Sequence, residues 1–331
     1  MNTPAKPQEI LALSRNFMEC RVLLTGAELN IFKHLTEPAS SRALAEKQGW
    51  HERPLTVVLD ALTAMGLLVK KDGFYRTEPN LLPFLRSDSP QTVLPMIRHA
   101  ATIWKNWSNL TRIVAETGGV ASTAGSFENP EDQKAFIGAM HVAGRAHAPA
   151  IVRAINPGAA RRLIDVGGAS GTYTIAFLEA CPKMSATLFD LPHVVDMGRA
   201  RITEAGLMQR VTIVAGDFRK DSLPPGHDLA LVSAIIHMNS PDQNVDLYKK
   251  IFDALVPGGR IVVRDHVMKP DHAAPKSGAL FAINMLVGTP GGGTYTYEEI
   301  KTGLTAAGFE NVKLIQEADP MMGLVEAYRP S

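Results

Sequence analysis

The chain has 331 residues, 45% of them apolar and 20% charged, with a formal net charge of +1. This length allows one large or two ordinary globular domains, and the near-neutral charge leaves no global field to draw the chain to nucleic acid or to a membrane surface. Cys20 and Cys181 are too few and too far apart for a disulfide framework or a zinc site, no run approaches the ~20 apolar residues of a membrane span, and polar residues 1–8 lack a signal core. The expectation is a cytoplasmic protein with no metal.

In chain order, Ile10 to Lys33 carries apolar residues at helical spacing (Leu11, Phe17, Met18, Val22, Leu23, Ala27, Ile31, Phe32), which predicts one or two helices with a broad buried face. Ser40 and Ser41 open a short helix that Gly49 closes. Pro54 starts a second helix with Leu55, Val58, Leu59, Leu62 and Met65 on one side, ended by Gly66. Leu67 to Thr77 reads as a hairpin turning at Asp72-Gly73. Helix, turn, helix, hairpin is a winged-helix pattern. Between Ser41 and Glu78, however, Arg42, Lys47, Arg53, Lys70, Lys71 and Arg76 are nearly balanced by Glu46, Glu52, Asp60, Asp72 and Glu78. Phosphate binding needs a basic excess on one face, so the pattern favours dimerisation over DNA binding.

Pro83 and Pro90 mark the end of a first domain, residues 1–90. Thr92 to Gly118 and Glu128 to Ile155 look helical and form a connector, residues 91–157, with Gly118 to Gly125 as the loop between them. Met96, Ile103, Leu110 and Phe136 fit core packing. Trp104, Trp107 and Met140 are candidates for the roof of an apolar substrate pocket. Any of His99, His141 and His147 in the connector could contact substrate, but most are expected to be structural or exposed.

After Pro157 the pattern changes to short apolar runs alternating with helical segments: Arg162 to Val166, Ala186 to Phe189, Val211 to Val214, Leu229 to Ile236 and Arg260 to Val263. Nearly continuous apolar runs are strands buried on both faces, so residues 158–331 predict a parallel α/β sheet. A helix after Asp242 ends near Leu255, and Pro257-Gly258-Gly259 follows. A capping box at Thr296 to Glu299 opens a helix to Gly308, and Val312 to Ile315 and Gly323 to Tyr328 are the last two strands. Each run is followed by polar residues: Asp165 with Gly167, then Asp190, Asp217, His237 and Asp265. Ligands of open α/β sheets bind outside these strand ends.

The first of these ends is a glycine turn, Gly167, Gly168 and Gly171, leading into a helix. By spacing alone it is also compatible with a dinucleotide. Asp190, nineteen residues after Gly171, is placed to hold ribose hydroxyls. Gly216-Asp217-Phe218 offers a contact to an adenine amine and ring, with a turn cap as the other reading of Asp217. A pyrophosphate would be repelled by Asp165, whereas a cationic, phosphate-free donor such as S-adenosylmethionine would not.

In combination, Leu163-Ile164-Asp165-Val166-Gly167-Gly168-Ala169-Ser170-Gly171, Asp190-Leu191-Pro192, Gly216-Asp217-Phe218, Ile236-His237 and Pro257-Gly258-Gly259-Arg260 resemble the motifs of class I S-adenosylmethionine-dependent methyltransferases. The chain resembles the small-molecule O-methyltransferases of the plant caffeate/flavonoid and bacterial polyketide type over nearly its whole length. The resemblance implies a Rossmann-like seven-stranded sheet, closed by two antiparallel strands, behind an N-terminal all-α, winged-helix dimerisation domain. It implies a homodimer, a small, largely apolar, aromatic acceptor, and S-adenosylhomocysteine as product. Asp165, Gly167, Gly168, Gly171, Asp190, Leu191, Gly216, Asp217 and Phe218 would bind the cofactor. His237 would be the general base and Asp265 its orienting acid, with Trp104, Met140, Phe281 and Met285 lining the acceptor. His266 should point away from the face that Asp265 uses. The chain departs from the plant enzymes at Met238 and Asn239, where they carry an acid and a tryptophan. It also departs at Ser233, where they carry a lysine, and at Gly293-Thr294-Tyr295, where they carry a second supporting glutamate. Carbon methylation or a non-methyl reaction, and a cofactor-sensing regulator, are the alternatives.

Overall fold

The computed structural model describes residues 6–120, 130–317 and 320–331. The chain divides into two compact units, Met1–Trp104 with Lys134–Val142, and Lys105–Gln133 with Ala143–Ser331.

The first unit is the winged helix. The run expected as one or two helices is three, Pro7–Arg15, Phe17–Glu28 and Ile31–His34, because the chain bends at Asn16 and again at Asn30, which takes a left-handed φ of 54°. Ser40 caps the helix Ser41–Gln48 by accepting from the Ala43 N–H, and Gly49 ends it with φ 68°. The next helix, Glu52–Ala64, begins two residues before Pro54, which sits in its first turn where a missing N–H does no harm. Strands Leu68–Lys71 and Phe74–Thr77 turn through Asp72 and Gly73, both at positive φ, as a two-residue hairpin requires. Ala39–Ser40 pairs with the second strand to complete a three-stranded sheet. Ala27, Phe32, Leu44, Leu55, Leu59, Leu62 and Tyr75 form the core beneath. The Tyr75 hydroxyl and the Lys70 ammonium both donate to Asp60 Oδ1 at 2.7 Å, tying hairpin to helix.

The connector breaks more often than its periodicity suggests. Leu94–Trp107 is helical, but Leu110–Arg112 is a separate turn and Ile113–Thr117 is wound more loosely, ending at Gly118 with φ 68°. Pro130–Arg145 and Ala148–Ile155 follow. Of the expected loop at 118–125, residues 121–125 lie outside the described residues. Among the described residues, no helix is long and apolar enough to cross a membrane.

The second unit is built on a seven-stranded sheet: β1 (Arg162–Val166), β2 (Ser185–Asp190), β3 (Val211–Ala215), β4 (His227–Ser233), β5 (Leu255–Asp265), β6 (Glu310–Gln316) and β7 (Gly323–Tyr328). Their order is β6-β7-β5-β4-β1-β2-β3, and only β7 runs antiparallel to its neighbours. This is the seven-stranded, Rossmann-like sheet that the sequence resemblance implied. Alternation splits its apolar residues between two cores. Ile164, Val166, Val232 and Val263 face Tyr248, Ile251 and Leu304. Leu163, Leu188, Leu231 and Val262 face Ile151, Phe177 and Ile202.

Two strand limits differ from the sequence reading. β4 stops at Ser233, three residues early, because Ala234 turns at φ 58° and Ile236–Met238 forms a tight 3₁₀ turn. β5 starts at Leu255, so Pro257-Gly258-Gly259 lies inside the strand's span instead of in front of it. The helix Pro241–Ala254 precedes it, capped by Ser240 and Gln243. The Thr296–Glu299 capping box is present and opens Tyr297–Ala306.

Leu59 is fully buried in the winged-helix core. Replacing it by alanine should lower the stability of the first unit by about 2–5 kcal/mol, seen as an earlier first transition in thermal unfolding followed by circular dichroism.

Candidate active site

Strand order reverses between β1 and β4, so the crevice outside their carboxyl ends is where an open α/β sheet admits a ligand. The turn after β1 needs its glycines for two reasons. Gly167 and Gly171 hold φ values of 71° and 75°. A Cβ on Gly167 would lie 2.4 Å from Ile235 Cδ1, and one on Gly168 would lie 2.9 Å from Asp165 Cγ. The Gly167 N–H donates to the Phe189 carbonyl at 2.8 Å, Gly171 to Gly168 at 2.8 Å, and Ala169 to Asp190 Oδ2 at 2.7 Å. Asp190 Oδ1 accepts from the Leu191 N–H at 2.7 Å, so this carboxylate clamps the turn to the end of β2.

Asp165 lies beneath the same turn. It is 1% exposed and accepts a 2.6 Å bond from Thr174 Oγ1, so it shapes the turn instead of presenting a carboxylate to the crevice. Burial pushes its carboxyl from 3.8 to about 6, against the Thr174 hydrogen bond and with help from the Asp190 charge. Burial also raises Asp190, against the backbone N–H groups of Leu191 and Ala169.

Beyond β3, the Gly216 N–H donates to the Asp190 carbonyl at 2.9 Å, and a Cβ there would lie 2.5 Å from Phe189 Cζ. Asp217 Oδ1 accepts the Arg219 N–H at 2.9 Å, which is the turn cap left open by the sequence. Phe218 packs against the sheet core and its carbonyl accepts from Lys250 Nζ at 2.6 Å.

His237 sits on the 3₁₀ turn after β4. Its Nδ1 lies 3.0 and 2.9 Å from the two oxygens of Asp265, the last residue of β5, and both side chains are buried, at 6% and 2% exposure. A carboxylate only accepts, so Nδ1 carries the hydrogen and Nε2 is left as an acceptor. Asp265 Oδ1 also accepts the His266 N–H at 2.8 Å. Burial by itself pushes Asp265 up, but the charge and hydrogen bond of His237 and the His266 N–H outweigh it and hold the carboxyl below its ordinary range. Phe281 packs edge-on against the His237 ring at 4.8 Å and an interplanar angle of 84°.

His266 does not point away as expected. Its ring lies 5.0 Å from that of Phe281. The alternation rule fails because β5 ends at Asp265, and His266 occupies the break before Val267.

The turn carrying His237 is held from behind by residues that sequence reasoning missed. Gly293 N–H donates to the His237 carbonyl at 2.9 Å, and a Cβ on Gly292 would lie 2.4 Å from that same oxygen. Asn244 Nδ2 donates to the Ile236 carbonyl at 2.9 Å, Asn239 Nδ2 donates to Asn244 Oδ1 at 3.1 Å, and the Tyr295 hydroxyl donates to the Asn239 carbonyl. Met285 is buried in the helix Lys276–Gly288, and Trp107 Nε1 donates to Asn284 Oδ1 at 3.0 Å in that helix. Trp104 and Met140 belong to the first unit, and the site described here is built from the second alone.

Residues 105–310 match the O-methyltransferase domain, and residues 11–80 match the O-methyltransferase dimerisation domain. The chain belongs to the O-methyltransferase family. A 3-hydroxy-5-methyl-1-naphthoate 3-O-methyltransferase of Streptomyces sahachiroi is 30% identical, with 95% of this chain and 92% of that protein covered. The tetracenomycin polyketide synthesis 8-O-methyl transferase TcmO of Streptomyces glaucescens is 30% identical over 95% of this chain and 94% of its own. Among solved structures, PigF with SAH superposes with a TM-score of 0.85 at 25% identity, covering 98% of this chain and 100% of PigF. Human N-acetylserotonin methyltransferase in complex with SAM shares the fold, with a TM-score of 0.83, 23% identity and full coverage of both chains.

The glycine turn of this methyltransferase already engages the N–H groups of Gly167, Ala169 and Gly171, and two carboxylates lie beneath and beside it. A pyrophosphate needs free N–H donors and no adjacent acid, whereas a cationic group suits this environment.

The raised carboxyl of Asp165 makes the stability of the methyltransferase depend on pH. Its contribution is fully present below about 3.8 and is lost as pH rises through about 6. Asp165→Asn keeps an acceptor for Thr174 and removes that loss. Urea unfolding should therefore favour the variant over wild type at pH 8 relative to pH 4.5, by about 2 kcal/mol. An equal difference at both pH values would show that ionising Asp165 carries no penalty in the fold.

Proposed function

We propose that His237 is the general base of this O-methyltransferase, that Asp265 orients it, and that the acceptor is a small planar aromatic hydroxyl compound. S-adenosylmethionine is the methyl donor. Its adenosine and methionine parts fit the clamped glycine turn, with Asp190 at the ribose side and Asp217 and Phe218 at the adenine side. When bound, S-adenosylmethionine supplies a methyl group on a cationic sulfur. The observation that carries the assignment is the buried Nδ1 contact to Asp265, which leaves Nε2 as the acceptor.

A phenol titrates near ~10 and a free imidazole near ~6.5, so the hydroxyl proton moves to Nε2 only as the oxygen becomes bonded to carbon. Asp265 then faces an imidazolium across Nδ1 and stabilises it, while burial keeps water from screening the pair. Phe281 beside the imidazole and buried Met285 give an apolar wall suited to a ring. The naphthoate and tetracenomycin named for the two relatives are consistent with a planar acceptor.

The proposed homodimer is supported by the surface of the first unit. Ile10, Leu11, Leu13, Phe17 and Met18 are each more than half exposed in the single chain, and the helix Pro7–Arg15 has no buried residue. A run of large apolar side chains of this kind is the mark of a surface that another chain covers. Leu11→Asp with Phe17→Asp should shift the protein from dimer to monomer in sedimentation velocity.

His237→Ala should lower kcat on a phenolic acceptor by roughly 10²–10⁴-fold, with affinity for S-adenosylhomocysteine unchanged by calorimetry. Asp265→Asn should lower it too, and Tyr295→Phe should do so by a smaller factor, since it only loosens the turn. Turnover by His237→Ala at the wild-type rate would remove the base from the mechanism.

A further inference from the structure

Among the described residues, Arg264 is a buried cation at the sheet's carboxyl edge with no part in the proposed proton transfer. It precedes Asp265 in β5 and is paired in register with Ser233 of β4 and Leu324 of β7. Alternation sends Asp265 to the His237 face and Arg264 to the other, the face covered by the helix Thr172–Ala180 that leaves the glycine turn. There its guanidinium carbon lies 5.0 Å from the centre of the Tyr173 ring, and Nη1 donates to Ser233 Oγ at 3.0 Å. The residue is 7% exposed, and its Nε is buried with no hydrogen-bond partner. Among the described residues, no carboxylate lies within ion-pair distance of it.

An arginine cannot shed its proton to escape burial. A buried charge without a counter-charge is disfavoured, so a guanidinium held only by a hydroxyl and a ring face suits an incoming anion. Its place in the fold says which anion. The guanidinium sits on the glycine-turn side, against the second residue of the helix after Gly171, and not on the face where His237, Asp265 and Phe281 meet. Asp165 and Asp190 are taken up within and beside that turn by Thr174, Ala169 and Leu191. The guanidinium on the turn side complements the carboxylate of an amino-acid head group.

We propose that Arg264 binds the carboxylate of the methionine moiety of S-adenosylmethionine, a reading that rests on S-adenosylmethionine being the donor. The test is calorimetry on the full chain with two ligands. One is S-adenosylhomocysteine, and the other is its decarboxylated analogue, which keeps the amine and loses only the carboxylate. Wild type should bind S-adenosylhomocysteine roughly ten- to a hundredfold more tightly than the analogue, the range of a charge-assisted hydrogen bond. Arg264→Met should lose that factor for S-adenosylhomocysteine and bind the analogue as wild type does, which also shows that the variant is folded. Its thermal midpoint without ligand should equal or exceed that of wild type, since an unpaired buried charge is gone. Wild type binding both ligands within twofold of each other overturns the proposal whether or not the variant folds. Equal loss for both ligands in Arg264→Met overturns it as well. Binding of neither ligand by wild type would instead overturn the donor assignment on which it rests.

Discussion

Strand order reverses between β1 and β4, so the loops leaving these two strands part above the sheet edge instead of crossing it. The glycine turn follows β1 and the histidine turn follows β4, so one topological event sets the two turns at the same edge of the sheet. Neither turn has freedom to drift. Gly167 is hemmed in by Ile235 from the turn after β4, and Gly292 by the carbonyl of His237. Close backbone approach of this kind is what glycine permits and any Cβ forbids.

Placing charge at such an edge raises the question of what balances it. Asp190 clamps two backbone N–H groups, Asp165 is bonded to Thr174, and Asp265 is paired with His237 and the His266 N–H. Each acid is held by donors on the chain itself, yet burial still lifts Asp165 and Asp190, while Asp265 alone is drawn below its ordinary range. The difference is the partner. A neutral hydroxyl or amide offsets part of a desolvation penalty, whereas an imidazole that takes up a proton offsets more than all of it. The direct Nδ1 contact to His237 is thus what separates Asp265 from the other two acids.

The sheet was legible because its signals are local. Arg162–Val166 and Gly323–Tyr328 are largely apolar runs, and Thr296 with Glu299 is a cap within one turn. The hairpin at Asp72-Gly73 followed from turn chemistry, and the pairing of His237 with Asp265 from the family resemblance. What escaped was long-range or depended on where a strand stops. The apolar run through Ile236 hid the turn at Ala234, since Ala at positive φ leaves no trace in hydropathy. His266 was misdirected because alternation was carried past the last paired residue. Tyr295 reaches Asn239 across 56 residues, and Arg264 reaches Ser233 across 31, separations at which no periodicity operates.

Those two long-range contacts also bear on the departures from the plant enzymes. Where the resemblance places a supporting glutamate, this chain has Gly293-Thr294-Tyr295, and the stretch acts on the backbone of the histidine turn through the Gly293 N–H and the Tyr295 hydroxyl. Where it places a lysine, Ser233 accepts a hydrogen bond from a guanidinium of the neighbouring strand. In both cases the local electrostatic or positional requirement is met by a residue distant in sequence, so loss of a motif residue does not by itself mean loss of its task. A glutamate touching the imidazole would compete with Asp265 for its protons. A hydroxyl gripping the main chain fixes the ring's position and leaves Asp265 as the carboxylate bonded to it among the described residues.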